Sequence, residues 1–177
     1  IEAYAARDQG RPKRDAKVGM LPPKLAQIII NLSAPTKDSS ILDPFCGTGV
    51  ILQEAVLMGL NAYGTDLEQR MVDYTQENVV EWLPKEFAVD LKTVVTAKGD
   101  ATALQWKTDL NYDFDRIACE TYLGRPFSAL PAPDVLQDVM QDVNLIHKRF
   151  LQNVARQTQP GMRLCIAVPA WSTPNGF

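Results

Sequence analysis

The sequence predicts a doubly wound α/β fold with a mostly parallel sheet, and three observations point to it. Short apolar runs alternate along the chain with longer stretches whose apolar residues recur at helical spacing. Each apolar run is nearly continuous, which is typical of parallel strands buried on both faces. An acidic residue follows four successive runs, at the end where such sheets bind ligands. The chain of 177 residues has the length of one domain.

The first half of the chain predicts a helix, a strand and a second helix. A helix is expected from Pro23 to before Pro35, because proline suits a first turn and apolar residues follow at helical spacing. The apolar pair at residues 41–42 predicts a strand that ends at Asp43. A turn that contains glycines then leads into a helix over residues 50–58.

The second half predicts further strands that alternate with two helices. Asp66 opens the first of these helices, and Pro133 begins the second, which a proline–glycine pair at residues 160–161 ends. Largely apolar or β-branched runs predict strands over residues 93–97, 114–119 and 163–168. Residues 61–65, which lie between two predicted helices, are also expected to form a strand. The strands and helices together predict a parallel sheet joined by crossover helices.

A basic segment precedes the first helix. Residues 7–24 hold six lysines and arginines against two aspartates, and they include several glycines and prolines, which favours a loop. We therefore divide the chain into a basic N-terminal loop segment, residues 1–21, and a core, residues 22–177. A phosphate-binding role is one interpretation of the segment and a merely solvated loop is the other. The candidate nucleic-acid-binding residues are Arg11, Lys13, Arg14 and Lys17.

The composition excludes several classes of protein. The net charge of −3 argues against a globally basic nucleic-acid coat protein. Three widely spaced cysteines and a single histidine predict neither a disulfide framework nor a metal site, and they fit a reducing compartment. No apolar stretch approaches the roughly 20 residues that span a bilayer. We therefore expect a cytoplasmic protein that does not partner a membrane.

The two ends of the sequence predict a fragment of a longer protein. The chain starts at Ile1 rather than methionine and stops at Phe177, soon after the strand over residues 163–168. The sheet is therefore expected to lack its last strands. Because an uncovered strand edge invites pairing, we expect self-association, or a missing chain segment, along residues 163–168.

The acidic residues at the predicted strand ends indicate a ligand site. Asp43, Asp66, Asp100 and Glu120 each follow one strand, which gathers them at one rim of the sheet. The first of them opens the run Asp-Pro-Phe-Cys-Gly-Thr-Gly over residues 43–49, whose glycines allow a tight turn at a helix N-terminus. The third glycine of a nicotinamide fingerprint is replaced by Leu52, and the lysine of a P-loop is absent. An acid before the glycines suits a cationic ligand such as S-adenosylmethionine (SAM).

Two of the acids also fit an adenosine pocket. Asp66 is placed to accept both ribose hydroxyls, and Asp100 to accept from the adenine amine. The alternative for Asp66 is a helix N-cap, with Gln69 completing a capping box. The alternative for Asp100 is a plain turn residue beside Gly99.

Three stretches resemble the tRNA guanine-N2 methyltransferases whose catalytic domain follows a THUMP RNA-binding domain. They are residues 11–15 together with residues 19–26, the run over residues 42–49, and Gly99-Asp100-Ala101. The resemblance implies a Rossmann-like class I SAM methyltransferase fold, SAM as cofactor and tRNA as partner. It assigns the cofactor to Pro22, Asp43, Phe45, Cys46, Gly47, Thr48, Gly49, Asp66, Leu67, Gly99, Asp100 and Ala101.

The fourth motif departs from this family. The family has Asp-Pro-Pro followed by an aromatic residue, whereas Glu120, Thr121 and Tyr122 stand at the matching strand end. We expect these three to be catalytic in methyl transfer to an exocyclic amine of a nucleic-acid base, guanine N2 of tRNA being favoured. A DNA amino-methyltransferase and a degenerate SAM-binding partner subunit are the alternatives. The basic segment and the Phe-Cys pair disfavour a small-molecule methyltransferase.

Overall fold

A computed structural model describes residues 2–15, 20–127 and 131–171. The strands are β1 (Ser40–Asp43), β2 (Asn61–Asp66), β3 (Val94–Lys98), β4 (Arg116–Glu120) and β5 (Arg163–Ala167). The helices are α1 (Glu2–Gln9), α2 (Pro23–Leu32), α3 (Val50–Leu57), α4 (Gln69–Thr75), a π-helix (Gln76–Trp82), α5 (Leu83–Phe87), α6 (Trp106–Asp109) and α7 (Pro133–Gln157). None of the helices in these ranges is both long and apolar enough to cross a membrane.

The five strands form one parallel sheet in the order β3-β2-β1-β4-β5. The doubly wound α/β prediction is therefore confirmed. The chain winds outward from β1 to β3 and then returns to place β4 on the other side of β1, so the switch point lies between β1 and β4. Asp43, Asp66 and Glu120 are the last residues of their strands, and the parallel pairing brings them to one rim.

Apolar layers cover both faces of the sheet. Adjacent residues of β1 divide between them, because side chains alternate across a strand: Ile41 packs with α2 and α3, and Leu42 packs with Trp106 and Phe150. The Trp106 indole N–H also donates to the Thr65 hydroxyl at 3.1 Å, which fixes α6 against β2. This two-sided burial explains why the strands are nearly continuous in apolar residues.

The N-terminal segment differs from the predicted loop, because residues 2–9 form helix α1. No residue of α1 is buried, and polar side chains hold the helix in place. The Arg7 guanidinium pairs with the Glu54 carboxylate at 2.9 Å, and the Tyr4 hydroxyl donates to Gln27 at 2.6 Å. The loop prediction depended on the charges, glycines and prolines of residues 7–24, most of which follow α1, and the polar contacts of α1 leave no apolar periodicity that would indicate a helix.

The helix after β2 also begins later than predicted. It starts at Gln69, with Glu68 in the N-cap position, whereas Asp66 remains in the strand. The capping-box alternative for Asp66 is therefore wrong, since its carboxylate is used elsewhere. The same helix continues through a π-helical turn at Gln76–Trp82 that the sequence pattern did not predict.

Candidate active site

A cavity of about 830 Å³ opens at the carboxyl ends of the strands. Its volume lies within the range of small-molecule and cofactor sites. Of the predicted cofactor residues, all but Pro22 and Gly49 line it, and so do the predicted catalytic residues Glu120, Thr121 and Tyr122. Each of the four acids is at the cavity, as the strand-end argument expected. Their individual roles stay predictions.

The turn between β1 and α3 forms one wall of the cavity. Gly47 and Gly49 both adopt left-handed backbone, with φ of 52° and 88°. A Cβ on Gly49 would lie 2.8 Å from the Thr75 side chain, so only glycine allows α4 to pack this closely. Gly49 therefore shapes the turn from behind, whereas Phe45 to Thr48 face the cavity. We call residues 46–49 the glycine turn.

Asp66 joins the end of β2 to the glycine turn. One carboxylate oxygen accepts the Gly47 N–H at 2.9 Å, and the other accepts the Glu68 N–H at 2.9 Å. Burial raises the pKa of the Asp66 carboxyl above its ordinary value, against the lowering effect of these N–H groups. The carboxylate is thus held at a fixed orientation beside the cavity, with lone pairs left for hydroxyl donors.

Asp43 is the most deeply buried of the four acids, with 2% of its surface exposed. It accepts the Phe45 N–H at 3.0 Å. Burial raises the pKa of the Asp43 carboxyl well above its ordinary value, and the negative charges of Asp66 and Glu120 raise it further. A cationic ligand would relieve both the desolvation and the repulsion, because it favours the charged form of the acid.

Asp100 stabilises a turn beside Gly99, as the alternative interpretation of this residue expected. One of its carboxylate oxygens accepts both the N–H and the hydroxyl of Thr102 at 2.8 Å. Gly99 is confined from behind, since a Cβ there would collide with the Leu104 side chain. Both residues still line the cavity, so the turn also presents Asp100 to a ligand.

The fourth motif is anchored by its threonine. Thr121 is buried and donates both its N–H, at 3.0 Å, and its hydroxyl, at 2.9 Å, to the carbonyl of Ala167 at the end of β5. These bonds fix the strand end where relatives of the predicted family have proline. Burial raises the pKa of the half-buried Glu120 carboxyl. Tyr122 is 42% exposed at the mouth of the cavity.

Of the three predicted cationic residues that the structure describes, two are paired within the protein and one is exposed. Arg11 is buried, and its guanidinium donates to the Thr48 hydroxyl at 3.1 Å and pairs with Asp8 at 3.2 Å. Its assignment as a surface contact for nucleic acid is therefore corrected to a structural one. Lys13 pairs with Glu77 at 3.2 Å, and Arg14 is exposed. Lys17 lies outside the described residues.

Several residues at the cavity were not predicted from the sequence. Leu21, rather than the exposed Pro22, lies at the wall near α2. Helix α7 and the chain after Tyr122 also line the cavity, through Leu123, Gly124, Arg125, Pro126, Asp142, Leu145, Ile146 and Arg149. The periodic apolar stripe of α7 identified its core face, but Leu145 and Arg149 lie beside that stripe. In the described ranges, no three His, Cys, Asp or Glu side chains are grouped to hold a metal ion.

Comparison with known proteins assigns this site to a family. Residues 11–174 match the family described as UPF0020, RMKL-like methyltransferase domain. The chain belongs to this methyltransferase family. Membership implies SAM as the cofactor, and the residues present fit it, because buried and half-buried carboxylates surround a cavity that would hold a sulfonium and an ammonium group.

Two curated relatives of this methyltransferase domain are tRNA (guanine(10)-N2)-dimethyltransferases. The protein of Methanothermobacter thermautotrophicus is 33% identical over 151 residues. That of Pyrococcus abyssi is 31% identical over 153 residues. Each alignment covers 85% of this chain and 39% of the relative. The chain thus spans about two fifths of the length of these relatives.

Solved structures confirm the fold of the methyltransferase domain. TrmN from Thermus thermophilus is similar with a TM-score of 0.64 at 20% identity, covering 93% of this chain and 42% of that one. The precorrin 8w decarboxylase of Methanobacterium thermoautotrophicum gives a TM-score of 0.60 at 18% identity, covering 90% of this chain and 69% of that one. Since proteins with such different names share the fold, the substrate must be argued from the site.

Replacement of Asp66 by alanine is expected to weaken SAM binding tenfold or more. The variant loses the bond that holds the Gly47 N–H and, if the predicted role holds, the charged acceptor for the ribose, at a cost of roughly 1.5–3 kcal/mol. Isothermal titration calorimetry measures the effect, with exposed Asp38→Ala as the matched control. An unchanged affinity in folded Asp66→Ala protein would remove this residue from the site.

Proposed function

We propose that this domain transfers methyl groups from SAM to the exocyclic N2 amine of a guanine in tRNA. The observation that carries the proposal is the continuity of one cavity from the glycine turn to the fourth motif. Asp43, Asp66, Glu120 and Tyr122 all line it, and β1 and β4, which end at Asp43 and Glu120, are neighbours in the sheet. A cofactor held by Asp43 and Asp66 would therefore meet an acceptor base beside Glu120.

The names of the curated relatives support guanine N2 as the acceptor. Both relatives are tRNA (guanine(10)-N2)-dimethyltransferases, and the aligned region includes the glycine turn and the fourth motif within its 85% share of this chain. The domain has the features that such a reaction needs, which are a cofactor pocket, a half-buried carboxylate at the acceptor side and an exposed aromatic ring.

The cofactor half of the site holds and orients the methyl donor. Bound SAM supplies an electrophilic methyl group on a positively charged sulfur. Asp43 contributes a buried negative charge, and Asp66 contributes acceptors for ribose hydroxyls. Gly47 allows the backbone of the turn to approach the ligand closely. Holding donor and acceptor in line supplies much of the rate enhancement in such a transfer.

The acceptor half must raise the reactivity of an amine. The lone pair of a guanine N2 is delocalised into the ring, so hydrogen-bond acceptors that draw its N–H groups out of the ring plane favour attack. Glu120 supplies one acceptor, and the carbonyl of Thr121 supplies a second. The bonds from Thr121 to Ala167 hold this strand end rigid, which compensates for the missing prolines.

The mouth of the cavity suits an unstacked base. Tyr122, Leu123 and Leu145 are all more than 40% exposed there, at 42%, 43% and 46%. Arg125 and Arg149 line the same side and bring positive charge to it. Exposed aromatic and apolar side chains beside arginines are typical of sites for bases taken out of a helix. We propose that Tyr122 stacks on the guanine and that the arginines contact the backbone phosphates of its nucleotide.

The outer edge of β5 indicates a possible contact with a partner. Among the described strands β5 pairs with β4, and Leu164 is 39% exposed. We propose that a further strand of a longer chain, or a second copy, covers this edge.

The three cysteines are free thiols, which fits a reducing compartment and a cytoplasmic protein acting on tRNA.

The substrate class is tested by a labelling assay on the full-length protein. The protein is incubated with methyl-labelled SAM and, in separate reactions, with unmodified tRNA, ribosomal RNA and DNA. Label is expected in tRNA. Label in DNA alone would replace the proposal by a DNA amino-methyltransferase. Binding of SAM without label in any of the three would favour a SAM-binding partner subunit.

A further inference from the structure

Asn78 is a fully buried amide in the π-helix, and it joins two separate backbone segments. Its side-chain oxygen accepts the Lys13 N–H at 2.9 Å. Its side-chain nitrogen donates to the carbonyls of Lys13 and Thr48, both at 2.9 Å. One side chain therefore holds the residue that follows Pro12 and a residue of the glycine turn at the same time.

The π-helical turn places this amide where the glycine turn needs it. Single π-helical turns inside helices recur at functional sites because the extra residue changes the direction of the side chains that follow. Thr75, just before the turn, donates its hydroxyl to the Gly47 carbonyl at 2.8 Å. Thr75 and Asn78 together hold two successive carbonyls of the glycine turn from behind, on the side away from the cavity.

The N-terminal segment makes its own contacts with the same region. We call residues 10–15 the docking segment. Arg11, at its start, donates to the Thr48 hydroxyl at 3.1 Å. Further along, Lys13 pairs with Glu77 at 3.2 Å and Asp15 pairs with Arg70 at 2.8 Å. Arg70 lines the mouth of the cavity, so the docking segment runs from the back of the glycine turn to the mouth.

We propose that Asn78 is a positioning residue that couples the docking segment to the glycine turn, so that each segment stabilises the other. Binding of SAM against the turn then stabilises the docked segment, and docking strengthens SAM binding by the same factor, because such coupling is reciprocal. The proposal concerns the cofactor half of the site. It stands whichever nucleic acid is the substrate, so a failed tRNA assay leaves it intact.

Hydrogen exchange and calorimetry on the whole chain test this coupling. In the unchanged protein, SAM is expected to slow amide exchange both in the glycine turn and in the docking segment. In Asn78→Ala, SAM affinity is expected to fall about tenfold, and SAM no longer protects the docking segment. The control is Glu81→Ala, an exposed position on the same π-helix, which should keep both properties.

A second variant guards against a general folding defect in Asn78→Ala. Arg11→Met removes the donor to Thr48 without touching either apolar layer of the sheet. It is expected to lower SAM affinity and to abolish the protection of the docking segment by SAM, while the core of the protein stays folded. A purely structural role would lower the melting temperature of both variants while SAM still protected the segment. That result, or exchange in the unchanged segment that does not respond to SAM, would overturn the proposal.

Discussion

Asp43→Asn is expected to lose SAM affinity about a hundredfold and to stabilise the ligand-free protein. The amide keeps an oxygen for the Phe45 N–H, so the turn is preserved. It removes the buried negative charge that faces the cationic ligand, a charge-assisted contact of roughly 3 kcal/mol. Affinity and stability should therefore change in opposite directions, as they do at functional sites that carry strain.

The sign of the stability change follows from the pKa of Asp43. Burial and the neighbouring acids raise the pKa of this carboxyl in the folded state above that in the unfolded chain. The favourable contribution of the protonated acid is complete below the unfolded pKa and is lost as pH rises through the folded pKa. The amide escapes that loss, so the gain, about 1 kcal/mol, should be present at neutral pH and vanish at acid pH.

Thermal denaturation at neutral and acid pH, combined with calorimetric titration of SAM, measures both effects. Asp90→Asn, at an exposed position away from the cavity, is the control and should change neither quantity. Wild-type SAM affinity in a folded Asp43→Asn protein would show that this carboxylate does not face the cofactor.

Glu120→Gln is expected to lower kcat on the order of a hundredfold while SAM affinity stays near normal. Glutamine keeps the size and one acceptor oxygen but loses the charge that draws the amine N–H groups. Glu120 lines the cavity at the end of β4, in the motif proposed to hold the acceptor, so its loss should affect the acceptor more than the cofactor. The effect therefore appears in single-turnover methyl transfer rather than in SAM binding.

The pH profile gives this variant a second readout. Burial raises the pKa of Glu120, and the ionised form is the better acceptor, so activity should fall as pH drops through that raised pKa. The Gln variant should lose this limb of the profile. Glu86→Gln, an exposed control, should keep the profile of the unchanged protein. Full turnover in Glu120→Gln would favour the interpretation in which the fourth motif is not catalytic.

The positions of Asp43, Asp66 and Glu120 were predictable because the carboxyl ends of the strands in a parallel sheet lie at the same rim. Apolar runs identified β1, β2 and β4, and the acid after each run then had to lie at the carboxyl rim. The local form of the glycine turn followed from Gly47 and Gly49, whose positive φ values few other residues adopt.

The supporting contacts behind that turn were not predictable from sequence pattern. Asn78 and Arg11 each form a hydrogen bond to Thr48, from which they are separated by 30 and 37 positions in the sequence. Polar contacts of this kind leave no periodic pattern in the sequence. Arg11 was interpreted as a surface cation because its neighbours are basic, whereas Asp8 and the Thr48 hydroxyl satisfy it inside the fold. The part of the cavity formed by α7 escaped prediction because Leu145 and Arg149 lie beside the periodic face of that helix.

We propose that this site places the methyl group of SAM on an exocyclic guanine amine. The most direct measurement incubates the full-length protein with unmodified tRNA and SAM carrying a deuterated methyl group, followed by nucleoside digestion and mass spectrometry. We predict deuterium in N2-methylguanosine or N2,N2-dimethylguanosine, and its loss in Glu120→Gln. Deuterium on a ring nitrogen, a ring carbon or a ribose hydroxyl instead would contradict the account.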